Sequence, residues 1–186
     1  MLRSVLLISL LGLTGLAGCA TPNLPDPRSL VTERLEPIEN TSLDRVHTMG
    51  GIWLACQPTE AELIALRDGG LATIVDLRGP TEDRGFDEER RARELGLNYI
   101  SLPITDPNQL SDSVFDQGRE LFERGSRPML VHCKSANRVG ALWFAWRATD
   151  GGLPVEDAIE EARLVGLRNP ALEARAREYV SSRRER

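Results

Sequence analysis

Met129-Leu130-Val131-His132-Cys133-Lys134-Ser135-Ala136-Asn137-Arg138-Val139-Gly140-Ala141-Leu142 is the stretch on which the fold turns. The short apolar run after Pro128, ending at His132, predicts a buried strand. Four small or polar residues follow Cys133, and from Arg138 to Thr149 the chain is largely apolar, a helix carrying Trp143 and Trp146. A cysteine at a strand end, a short loop and a helix N-terminus make an anion-binding geometry, because free backbone N–H groups and the helix dipole converge on the loop. The same field favours a thiolate over a thiol. Arg138 suits a tetrahedral oxyanion, since a guanidinium fork grips two oxygens at once.

Outward from this stretch, strands and helices alternate. Residues 45–49 and 52–55 flank Gly50-Gly51, a two-residue hairpin signal. Thr59-Glu60-Ala61-Glu62 has the form of a capping box and opens a helix that stops at Gly69-Gly70. Residues 71–77 read as a buried strand broken by Gly79-Pro80, 87–95 as a charged helix closed by Gly96, and 97–104 as the next strand. Helices are expected over 111–124, 155–165 and 171–180; in the second, Val155, Ala158, Ile159 and Ala162 form the stripe of a helix packed on a core. The order argues an α/β fold, a mostly parallel central sheet flanked by helices, with ligands beyond the carboxyl ends of the strands.

Composition narrows the function. The chain has 186 residues, 23 basic and 28 acidic, for a net charge of −5, and Lys134 is its lone lysine. An acidic chain without a basic run is a poor partner for nucleic acid. Two histidines and three widely spaced cysteines, Cys19, Cys56 and Cys133, make neither a CxxC zinc site nor a disulfide framework, so no metal is expected.

At the N-terminus Arg3 precedes an apolar run over 5–16, the length of a signal-peptide core and too short to span a bilayer stably. Leu16-Ala17-Gly18-Cys19 resembles the bacterial lipoprotein signal, which implies cleavage of residues 1–18 and lipidation of Cys19. The expected product is a membrane-anchored, extracytoplasmic protein in a compartment that permits disulfides. Residues 19–41 hold Pro22, Pro25, Pro27 and Pro37 and read as an extended tether, with the folded domain over 42–186.

His132-Cys133, a short loop and Arg138 resemble the signature of the protein tyrosine and dual-specificity phosphatase superfamily. With Gln57-Pro58-Thr59 and Asp76-Leu77-Arg78, the resemblance narrows to the bacterial beta-lactamase-hydrolase-like phosphatases, over roughly residues 45–168. It implies a tyrosine-phosphatase-like fold and a hydrolase of phosphate esters with Cys133 as nucleophile and no cofactor. Lys134, Ser135, Ala136, Asn137 and Arg138 would cradle the phosphoryl group of a phosphorylated protein or small molecule. Asp106, in Leu102-Pro103-Ile104-Thr105-Asp106-Pro107, is the candidate general acid, with Asp112 as second choice and a plain turn residue before proline as the alternative for Asp106.

Three departures from the phosphatase pattern stand out. Four residues separate Cys133 from Arg138 where phosphatases have five, and four is the spacing of many rhodaneses. Val139 replaces the usual Ser or Thr that assists the departing thiolate. Ala136 stands where related sequences carry glycine, so a left-handed residue there would be strained. A rhodanese-like sulfurtransferase working through a Cys133 persulfide and a non-catalytic lipid-anchored binding protein are the alternatives. His132 reads as a loop-orienting or simply satisfied strand-end residue, Arg78 as a surface ion pair in preference to a residue that widens the positive pocket, Lys134 as a solvated side chain in preference to a contributor to thiolate or substrate binding, the two tryptophans as core, and Cys56 as a small hydrophobe with a minor redox reading.

Overall fold

The period-two alternation of the apolar residues divides the molecule into two cores, one on each face of a single sheet. This computed structural model describes residues 21–107 and 110–185. Strands β1 (Glu36–Pro37), β2 (His47–Met49), β3 (Ile52–Ala55), β4 (Thr73–Asp76), β5 (Asn98–Ser101) and β6 (Met129–His132) lie in the order β1-β2-β3-β6-β4-β5. β3, β6, β4 and β5 are parallel, with β1 and β2 added antiparallel at one edge. The helices are α1 (Glu60–Asp68), α2 (Glu88–Glu94), α3 (Asp112–Arg124), α4 (Asn137–Thr149), α5 (Val155–Val165) and α6 (Pro170–Arg184).

Ile52, Leu54, Val75, Met129 and Val131 face the larger core with α3 to α6. Trp53, Ala55, Ile74 and Leu130 face the other way, against Leu63 and Leu66 of α1 and Ala92 of α2. Strands covered on both faces explain the near-continuous apolar runs that marked them. α4 is apolar around most of its girth because it packs on the sheet and on α3, α5 and α6 together. Trp143 and Trp146 are core residues whose indole N–H groups donate to Glu161 and Glu123.

Local signals act as their chemistry predicts. Thr59 Oγ1 accepts from the Glu62 amide at 3.3 Å while Glu62 Oε2 accepts from the Thr59 amide at 2.8 Å, completing the capping box. Gly50 and Gly51, at φ of 57° and 77°, turn β2 into β3 through a conformation that a side chain would strain.

Residues 21–41 differ from the tether reading, for they are packed onto the domain. Glu36 and Pro37 pair with Thr48 and His47 in β1, the Gly50 amide donates to the Thr32 carbonyl at 2.8 Å, and Leu24, Leu30 and Ile38 cover the α1–α2 core. Prolines that suggested a linker are also what an edge strand tolerates, since its outer N–H groups have no ladder to join. The folded domain therefore begins well before Ser42. The signal peptide over 1–18 and Cys19 lie outside the described residues, and among those described no helix is long and apolar enough to cross a membrane.

Candidate active site

The parallel strands deliver their carboxyl ends to one edge, and β6, the central one, ends there in the cysteine loop. Cys133 is fully buried at the loop's start, and Lys134 and Ser135 are exposed beyond it. Ala136 caps α4 in the left-handed conformation, φ 60°, so the strain expected of a non-glycine residue at this position is present. The connection between α5 and α6 buttresses the loop. Asn137 Oδ1 accepts from the amides of Arg168 and Asn169 at 3.1 and 3.2 Å. Gly166 lies so close that a Cβ there would stand 3.0 Å from the Ala136 methyl.

Arg138, in the first turn of α4, points back across the strand ends. Its Nη1 donates to the carbonyls of Leu77 at 3.2 Å and Ile104 at 2.9 Å, and both Nη1 and Nη2 donate to Glu82, the latter at 2.8 Å. Burial opposes the Arg138 charge, but the Glu82 carboxylate that it hydrogen bonds and the neighbouring Cys133 raise its pKa on balance. In return the Arg138 hydrogen bonds hold the Glu82 carboxyl below the usual range against partial burial, helped by the Gly79 amide at 2.7 Å. Gly79 is required by close approach, since a Cβ there would meet the Thr105 methyl at 2.7 Å.

A cavity of about 340 Å³ opens over this loop, lined by Glu82, Ser135, Asn137 and Arg138 with Thr105 and Pro107 on its rim. A fixed guanidinium and the start of α4 meet at the wall of this cavity, and the buried Cys133 stands at the head of the same loop. The sequence model of the family described as "DSP-PTPase phosphatase fused to NAD+ Kinase" (PTP-NADK) matches residues 31–180.

The chain belongs to the PTP-NADK family.

Solved structures share the fold. A DUF442 candidate phosphatase from Shewanella putrefaciens CN-32 superposes with a TM-score of 0.65 at 16% identity, over 76% of this chain and 95% of that one. A candidate phosphatase from Neisseria meningitidis Z2491 gives 0.57 at 22% identity, over 69% and 92%. TpbA of P. aeruginosa, solved in complex with phosphotyrosine, gives 0.58 at 19% identity, over 89% and 91%. No curated protein matches the chain.

Beneath the loop, this PTP-NADK family chain buries an ionic network. Arg78 is fully buried, which corrects its reading as a surface ion pair. It donates to Asp76 Oδ1 at 2.8 Å, to Gln57 at 3.2 Å and to Glu88, whose other oxygen lies 2.8 Å from His132 Nε2. Tyr99 and Arg84 add donors to Asp76 at 3.0 and 3.1 Å. Burial opposes the Asp76 charge, yet the hydrogen bonds from Arg78, with the Arg78 charge and His132 beside the carboxylate, overcome it and hold the carboxyl far below its usual range. The Tyr99 hydroxyl is pushed up by burial and by the Asp76 charge it faces. Asp76, Glu88 and His132 place ligand-type atoms within 4.8 Å of one another, but the Arg78 guanidinium already supplies the cation that the two carboxylates share.

The remaining predicted site residues are spread around this centre. Asp106 is half-buried between Thr105 and Pro107 at the rim. Asp112 sits at the start of α3 in ion pairs with Arg175 and with Arg183 at 3.8 Å. Lys134 is exposed, in keeping with a solvated side chain. Glu82 and Glu88 were missed by sequence reasoning. Glu82 sat in a Gly-Pro turn read only as a breaker, and Glu88 in a run of charges indistinguishable from a solvated helix face.

Proposed function

We propose that the protein is a cysteine-dependent phosphatase acting on a phosphorylated protein or small molecule through a phosphocysteine intermediate. The observation that carries this reading is the loop that starts at the buried Cys133 and brings Ser135, Asn137 and Arg138 to the wall of one cavity. In the first step the Cys133 sulfur attacks phosphorus and the bond to the leaving oxygen breaks. Asp106 protonates that oxygen, and Arg138 with the α4 N-terminus and the loop from Lys134 to Asn137 holds the others. Water then cleaves the phosphorus–sulfur bond, returning the thiolate. The family assignment and the phosphotyrosine held by TpbA support the choice of phosphate ester over thiosulfate. The reading includes an anchor at a lipidated Cys19 and an extracytoplasmic site of action, supported by the Leu16-Ala17-Gly18-Cys19 signal.

A rhodanese-like sulfurtransferase is the second reading, favoured by the four-residue loop. Purified protein is assayed for aryl phosphate hydrolysis and for thiosulfate-dependent thiocyanate formation, with Cys133→Ser as control. Vanadate-sensitive hydrolysis lost in the variant is the expected result. Thiocyanate formation alone overturns it in favour of sulfur transfer, and neither activity overturns it in favour of a binding protein.

A further inference from the structure

The two edges of the sheet are finished differently. At one, β1 is only Glu36 and Pro37, a short strand carrying charge and proline, the usual protection against pairing with another chain. At the other lies β5, and among the described residues no strand pairs with its outer side. Residues 95–105 hold no charged side chain, in a chain that is 27% charged. An open edge without charge is a template for a further strand. The hydrogen bonds show which groups it offers. The amides of Asn98 and Leu102 donate to the carbonyls of Ala72 and Asp76 at 3.0 and 2.9 Å. Alternate residues of a strand turn their backbone groups to opposite neighbours, so Asn98, Ile100 and Leu102 serve the ladder to β4, and the N–H and C=O groups of Tyr99 and Ser101 face outward.

That edge leads into the catalytic cavity. Beside it a second cavity of about 320 Å³ is lined by Tyr99, Ser101 and Pro103 on one side and by Pro80 and Arg84 on the other. The two cavities back onto one another, since Gly79, Thr81 and Glu82 of the same turn line the one over the cysteine loop. The chain itself passes from Pro103 directly into Ile104 and Thr105, which line that catalytic cavity too, and the Ile104 amide donates to the Leu77 carbonyl at 3.0 Å, which fixes its course. Ser101, Pro103 and Thr105 are exposed between the buried Leu102 and Ile104, so the track from open edge to catalytic rim is accessible along its length.

We propose that β5 is the docking edge for the substrate, an extended segment of a phosphorylated protein that adds to the sheet as a further strand and lays its phosphorylated side chain in the cavity over the cysteine loop. The amides of Tyr99 and Ser101 donate to its carbonyls, their own carbonyls accept from its amides, and one of its side chains enters the second cavity. Ser101 and Thr105 are four backbone steps apart, at most about 14 Å, so a segment of about six residues, roughly 20 Å as a strand, covers edge and rim together. Main-chain pairing of this kind selects an extended polypeptide over a small phosphate ester.

The substrate class rests on the phosphatase reading, whereas strand addition is measured without it. The probe is phosphotyrosine flanked on each side by about six residues of alternating threonine and valine, which favour an extended strand. Its kcat/KM with full-length protein is compared with that of p-nitrophenyl phosphate, which is too small to reach the edge. Ser101→Pro removes an outward N–H and leaves the ladder to β4 intact, as an edge strand tolerates. The expected ratio of peptide to aryl phosphate is about tenfold lower in this variant, the worth of one hydrogen bond. With the wild type, N-methyl groups at alternate flanking positions of the peptide lower the ratio likewise. Hydrogen exchange at the Tyr99 and Ser101 amides slows when the peptide is added to Cys133→Ser protein. N-methylation without effect on the wild type overturns the proposal, whatever Ser101→Pro does, and leaves the phosphatase reading standing. A dimer in sedimentation that Ser101→Pro dissolves also overturns it, giving the edge to a second copy of this chain. Slowed exchange at both amides in a protein whose wild type never hydrolyses phosphate upholds the docking edge and removes the phosphatase reading.

Discussion

Glu82 takes the outer edge of Arg138 with both carboxylate oxygens, and two carbonyls from different strand ends complete the grip on Nη1. A guanidinium held this way cannot swing to meet its ligand; it waits in one orientation, so the ordering of a long side chain is complete before substrate arrives. Glu82→Gln keeps the shape and removes the charge. We expect kcat/KM for aryl phosphate to fall about tenfold to a hundredfold, since a small misplacement of a positioning group costs on that order. Inhibition by inorganic phosphate should weaken in parallel. Unchanged kinetics would show that Glu82 is a bystander.

Glu88 joins Arg78 to His132 where none of the three meets solvent. Removing one partner of a buried ionic network costs about 3–5 kcal/mol, because the other charges stay buried without compensation. Glu88→Gln is therefore expected to lower the melting temperature by about 10 °C, at roughly 2–4 °C per kcal/mol for a chain of this length. A drop of only one or two degrees in thermal unfolding would mean that the network contributes little.

Acid should loosen the same region. The Asp76 carboxyl has its folded-state pKa depressed, so its contribution to stability is fully present above the unfolded value of about 3.9. It is lost as the pH falls below that value toward the folded pKa. Urea unfolding of the wild type is expected to show a midpoint that falls more steeply below pH 4 than that of an Asp76→Asn variant. Equal slopes would contradict the assignment.

Gly166→Ala tests the buttress behind the loop. Its φ of 147° is one that side chains rarely adopt, and a Cβ there would press on the Ala136 methyl at 3.0 Å. The expected cost is about 1–3 kcal/mol in chemical denaturation, the usual range for a strained backbone position, with a fall in kcat as the loop is displaced. A variant as stable and as active as the wild type would count against it.

Val139 is wholly buried and, in the mechanism proposed above, offers no hydroxyl to the departing Cys133 thiolate. Breakdown of the phosphocysteine is accordingly expected to limit turnover, giving a burst of product in rapid-quench experiments. Val139→Thr should shrink the burst and raise the steady rate about tenfold, the equivalent of one hydrogen bond of ~1.4 kcal/mol realised in the transition state. A linear time course in the wild type would rule this out.

How much of this could be read in advance depends on the range of each interaction. The Thr59–Glu62 capping box, the Gly50-Gly51 turn and the stripe of α5 are settled by residues within four positions of one another, and all three stand in the fold as their chemistry demands. The left-handed Ala136 was legible for the same reason. What stayed hidden depends on pairing between distant segments. Arg138 meets Glu82 across 56 positions and His132 meets Glu88 across 44, and nothing local distinguishes those glutamates from their solvated neighbours. Arg78 was misjudged because burial of an arginine is decided by partners supplied from other elements. Pro37 misled in a different way, since one residue type serves both a linker and the outermost strand.

The packed N-terminal segment limits how far the molecule can roam. Asn23 is already part of the fold, its carbonyl accepting from the Ser42 amide at 3.1 Å. Under the lipidation proposed at Cys19, only residues 20–22 lie between that cysteine and Asn23, four backbone steps that reach at most about 14 Å even when fully stretched. Such a protein patrols a thin sheet of solvent at the membrane surface, and phosphorylated groups held farther out would have to come to it.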